Sequence, residues 1–124
     1  MKIICSSIDA LPKCLPAGSR AFTFLEASSQ SDIGRIAYGW HRELENAGYA
    51  PSVPVWDFVL FCFAIYAADV AVLRKESTDG WTRQIELEVT LNDPGPWKKS
   101  KNIAENMLRV LTGDFWTLRF RSGG

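Results

Sequence analysis

Trp81-Thr82-Arg83-Gln84-Ile85-Glu86-Leu87-Glu88-Val89-Thr90-Leu91 alternates side by side: Trp81, Arg83, Ile85, Leu87, Val89 and Leu91 fall on one face, and Thr82, Gln84, Glu86, Glu88 and Thr90 on the other. Strict period two over such a run is the mark of a strand with one buried face. Ser77-Thr78-Asp79-Gly80 supplies a turn before it, and Asn92-Asp93-Pro94-Gly95-Pro96 stops it. Downstream, Asn102 with Glu105 three residues later resembles a capping box, and Ile103, Met107, Leu108 and Leu111 form an apolar stripe before Gly113, predicting a short amphipathic helix. A second alternating strand follows over Phe115 to Arg121, with Trp116, Leu118 and Phe120 on one side. Residues 1–121 are therefore expected to form one domain, with Ser122, Gly123 and Gly124 as a flexible tail.

Upstream, Val55 to Lys75 predicts the main helix, apolar around most of its circumference and so expected to be covered on more than one side. Its longest apolar run, Phe58 to Ala68, lies between Asp57 and Asp69 and is about half the roughly twenty residues that a membrane span needs. Lys2 to Ile8 and Arg20 to Ala27 read as strands joined across the Pro- and Gly-bearing stretch Leu11 to Gly18, a loop or wide hairpin connection. From Asp32, Ile33, Ile36, Ala37, Trp40 and Leu44 recur at helical spacing with Gly48 as a stop; Gly34 and Gly39 leave Ile33 to Trp40 open as a strand instead. The elements predict an α+β fold, a small mixed or antiparallel sheet packed on the long helix, with β-grasp and ferredoxin-like arrangements both open.

Fourteen basic and fourteen acidic side chains give a formal net charge of zero, which removes the electrostatic case for nucleic acid or an anionic membrane as the main partner. The charge is uneven: residues 96–124 carry six basic and two acidic side chains, so this end suits an acidic partner, or is simply a solvated basic face. Cys5, Cys14 and Cys62 are odd in number and lack zinc or redox spacing, which fits a reducing cytoplasm; Cys62 is expected in the core, Cys5 and Cys14 partly exposed. His41, the only histidine, has no companion ligands, so neither a metal site nor a cofactor site is expected. Glu43 with Glu45 and Glu86 with Glu88 read as solvated carboxylate pairs rather than an acid–base dyad.

Two polar residues stand where apolar ones are expected, Asp69 in the main helix and Arg83 on the apolar side of the Trp81 strand. Burying either is costly unless it is paired, so the two are expected to meet each other or a backbone group. Trp97 sits beside Lys98, Lys99 and Lys101 in a Pro- and Gly-rich stretch, the expected anchor of a protein-binding surface.

Taken together, Ile65 to Asp69, Trp81 to Leu87, Asp93 to Trp97 and Leu111 to Phe120 resemble the N-terminal region of 7-cyano-7-deazaguanine synthase-like proteins of bacterial anti-phage defence, over residues 33–120. In that family the region precedes an ATP-using catalytic domain whose phosphate loop begins Ser-Gly-Gly and continues to Asp-Ser. Here Ser122-Gly123-Gly124 closes the sequence without the Asp-Ser. The resemblance implies a substrate-recruiting or scaffolding domain without adenylating activity of its own, cut from a longer chain or encoded separately to work with a catalytic enzyme. A final strand running into Ser122-Gly123-Gly124 is also similar to the C-terminus of ubiquitin-like modifiers, whose glycines thread the channel of an activating enzyme. A free-standing adaptor is the third reading.

Overall fold

The computed structural model describes residues 1–6, 11, 14–24, 34–36, 43–44, 46–48 and 52–123. Its strands are β1 (Lys2–Ser6), β2 (Ser19–Phe24), β3 (Gly34–Ile36), β4 (Gln84–Leu91) and β5 (Phe115–Ser122). The helices are α1 (Val53–Ala71), α2 (Gly95–Lys99) and α3 (Lys101–Thr112), with a 3-10 turn at Arg74–Glu76. Helices and strands combine as expected, but the five-stranded sheet, in order β3-β2-β1-β4-β5, is parallel at every pairing. This corrects the mixed or antiparallel expectation and excludes both the β-grasp and the ferredoxin-like arrangement. Twelve residues separate Ser6 from Ser19, enough for the chain to return to the starting end of a parallel neighbour.

The two strand chemistries explain each other. Ile3, Ile4 and Cys5 are all buried because β1 lies in the middle of the sheet, covered on both faces as central parallel strands are. β4, also a central strand, is buried from Leu87 to Leu91 although its residues alternate in chemistry, whereas β5 at the edge alternates in burial too, its apolar face meeting helices and its other face carrying charges. On the first face Ile85, Leu87, Val89 and Leu91 lie beside Trp116, Leu118 and Phe120, with Ile3 and Cys5 continuing the layer. Leu60, Phe61, Ala64, Ala67 and Ala68 of α1 and Leu108 of α3 close over it. On the opposite face Arg119 Nε donates to Glu86 Oε1 at 2.8 Å, and Glu88 pairs with Lys2 at 3.9 Å and Arg121 at 3.5 Å. The Glu86–Glu88 pair is thus neutralised by cross-strand cations rather than left to solvent.

α1 begins two residues earlier than expected, with proline in its first turn, and ends at Ala71. It buries one side only, which corrects the expectation of cover on more than one side. By length and composition it is the one helix among the described residues apolar enough to cross a membrane, with a mean hydropathy of 1.7, and a third of that window is buried. Cys62 is exposed on its outer side rather than in the core, whereas Cys5 is fully buried and its thiol pKa is pushed far up by desolvation. Gly34–Ile36 is a strand, the alternative left open for that stretch, while Trp40, His41 and Glu45 lie outside the described residues.

Candidate protein-binding face

Four parts of the molecule hold chemistry that bears on function: a buried charge network, a turn at the carboxyl end of the sheet, a cavity at the amino end, and the outer side of the helices. Arg83 is the centre of the first. It is only 4% exposed, and its guanidinium donates to Asp69 Oδ1 at 2.6 Å, to Asp114 Oδ2 at 2.7 Å, and to the carbonyls of Asp69 and Val72 at 2.9 Å each. The expected meeting of Asp69 and Arg83 is present, but Asp69 is 54% exposed and the buried partner is Asp114. Asp114 also accepts from the Arg83 backbone N–H at 2.9 Å and from Arg74 at 3.0 and 3.2 Å. Burial opposes ionisation of Asp114, yet the hydrogen bonds from Arg83 and the Arg83 and Arg74 charges outweigh it and hold the carboxyl below its ordinary range. Every buried side-chain polar atom in this network is hydrogen-bonded, so it ties α1, β4 and β5 together as a structural element.

An open parallel sheet in this strand order binds ligands, as a rule, outside the carboxyl ends of its strands where the order reverses, here between β1 and β4. The turn found there is held by Asp57, which is fully buried on α1. Its carboxylate accepts from the Asn92 backbone N–H at 2.9 Å, Asn92 Nδ2 at 3.0 Å and the Asp93 backbone N–H at 2.9 Å. The turn leads into Trp97, whose ring packs on Phe61 at 5.2 Å and Phe120 at 6.2 Å and stacks on Phe58 at 6.2 Å. Trp97 is therefore half-buried, a wedge between α1 and β5 rather than a free anchor. Lys98 and Lys99 are exposed beside it, and Lys101 lies 3.9 Å from Glu105.

A cavity of about 650 Å³ opens at the other end of the sheet, lined by Met1, Gly18, Leu73, Glu76, Asp79 and Arg83 among others. Of the carboxylates Glu76 and Asp79 in this lining, Asp79 is committed to the turn, accepting from the Trp81 and Thr82 backbone N–H groups at 2.9 and 2.7 Å, which lowers its pKa to about 2. No cluster of three His, Cys, Asp or Glu side chains suited to a metal is present among the described residues.

The helical side is different in kind. Of the expected stripe, Leu108 is buried at 3% exposure, but Ile103, Met107 and Leu111 are 73, 45 and 71% exposed, and Val110, at 84%, joins them on the outside. α3 packs on the sheet through Leu108 and Ala104 instead. The reason lies in its polar residues. Thr112 Oγ1 accepts from Trp116 Nε1 at 2.9 Å, and Glu105 Oε2 accepts from the Leu118 backbone N–H at 2.7 Å. Both must face β5, and they turn the apolar stripe outward. The expected capping box does not form: the N-cap is Ser100, without a side-chain cap hydrogen bond, and Glu105 serves the strand. On α1, Val55, Phe58, Tyr66 and Val70 are likewise about half exposed or more. The sequence pattern of α3 shows an amphipathic helix but not which part of its apolar side meets the sheet: Leu108 does, and Ile103, Met107 and Leu111 do not.

At the tail, Ser122 belongs to β5 opposite Leu91, Gly123 follows, and Gly124 lies outside the described residues. Comparisons of the chain with protein-family models, with characterised proteins and with solved structures give no match.

Proposed function

We propose that the chain is a non-catalytic recognition or scaffolding domain that works through protein–protein contacts on the outer side of α1 and α3. The observation that carries this reading is the outward stripe Ile103, Met107, Val110 and Leu111; Phe58 and Tyr66 of α1 are exposed as well. Exposed apolar patches larger than a few hundred Å² on a small domain mark interaction sites, and aromatic residues and methionine are enriched in interface cores. The resemblance to the N-terminal region of 7-cyano-7-deazaguanine synthase-like defence proteins supplies the partner class, a catalytic protein of that kind. Its setting is the reducing cytoplasm, a reading supported by three free cysteines. The ubiquitin-like alternative gains no support from an all-parallel sheet that takes Ser122 into its last strand.

The test is photo-crosslinking in cells, with a photoreactive amino acid at Val110 in one version of the chain and at Thr117, on the other sheet face, in a second. A covalent adduct with an adenylating enzyme from position 110 and none from 117 is the expected result. Adducts from both positions, or from neither, overturn the proposal.

A further inference from the structure

We infer that the outer face of α3 takes an amphipathic helix whose apolar ridge is flanked by acidic side chains. This rests on the reading above and names the chemistry of the partner. The apolar part is a stripe at helical spacing, Ile103, Met107, Val110 and Leu111, which matches the ridge of a second helix laid along it. Charge selects the rest. Residues 95–112 carry Lys98, Lys99, Lys101 and Arg109 against one acid, Glu105. Lys98 and Lys99 are exposed at one end of the stripe and make no ion pair among the described residues. Arg109 is exposed at the other end, its guanidinium over the Phe115 ring at 4.1 Å.

The local acids are already engaged, Glu105 by the Leu118 N–H and Lys101, and Asp69 by Arg83. A second copy of the chain placed face to face would set the cations of α2 and α3 against the same cations, while the one acid of that stretch, Glu105, is already engaged, which disfavours self-pairing. An anionic membrane would also meet these cations, but helices that lie in a membrane carry lysines and arginines along the polar side. α3 has Asn102 and Asn106 there, with Arg109 alone charged. Two cationic ends around an apolar centre suit an acidic protein helix best.

Two synthetic peptides of about 18 residues, sharing one leucine ridge and flanked by glutamates in one and lysines in the other, test this against the whole chain by fluorescence anisotropy. The glutamate-flanked peptide should bind at least about tenfold more tightly than its counterpart and weaken with added salt. Val110→Glu with Leu111→Glu should abolish binding, and Lys98→Glu with Lys99→Glu and Arg109→Glu should reverse the preference. Equal binding of both peptides, binding of neither, dimerisation of the free chain in sedimentation, or retention on anionic vesicles overturns the inference. An adduct at position 110 alongside peptides that do not discriminate would sink this inference while leaving the protein-binding role standing; no adduct at position 110 removes both.

Discussion

Asp114 and Asp69 hold the same arginine, yet their removal should cost very different amounts. Asp114 is fully buried and shared by Arg83 and Arg74, so Asp114→Ala strands a buried guanidinium and should destabilise the fold by about 3–5 kcal/mol. Asp69 is half in solvent, and Asp69→Ala should cost about 1 kcal/mol. Urea denaturation of the two variants checks the order. Protonation gives a second handle. The Asp79 pKa is lowered to about 2 by its turn hydrogen bonds, and that of Asp114 is lowered as well. Both contribute stability that is fully present above the ordinary carboxylate range and lost as pH falls through the folded value. The stability gap between wild type and Asp79→Asn should therefore shrink between about pH 4 and pH 2. A gap that stays constant over that range would show that the turn does not depend on the ionised form. Arg83 was legible in the sequence as a misfit on an apolar face, and its need for an acceptor followed. Its main acceptor was not, because Asp114 meets Arg83 only once β4 and β5 run parallel with Gln84 beside Phe115.

At the scale of elements, the helix stop at Gly113 and the alternation of β4 and β5 could be read directly. Gly113 has φ 76, the left-handed region in which a Cβ is strained, and its N–H caps the Arg109 carbonyl. Gly113→Ala should cost about 1 kcal/mol and lower the urea midpoint without changing the slope. Strand direction was not legible. Alternating charges on β4 and β5 suggest a solvated antiparallel face, but here the charges pair across parallel neighbours. Nor was the orientation of α3. Period 3.6 shows that a helix has an apolar side, not that the sheet lies under it, and Glu105 and Thr112 decide that instead.

For the whole molecule, an apolar helical side left open makes the free chain prone to stick to itself nonspecifically at high concentration. Val110→Glu with Leu111→Glu should leave stability within about 0.5 kcal/mol of wild type, since both residues are exposed, while reducing light scattering of concentrated samples. A large drop in melting temperature would show instead that the stripe is part of the core.

Glu105 has a consequence beyond turning its helix. β5 is the last strand of the sheet, and the Glu105 carboxylate occupies the Leu118 amide midway along its outer rim. A bare rim of that kind is a template on which the same rim of another molecule can lie, and because the other side of β5 is already bonded to β4, two such rims close on each other as a pair. The Glu105 carboxylate thus helps to keep neighbouring molecules apart, and neutralising it would be felt first as edge-to-edge pairing in concentrated stocks.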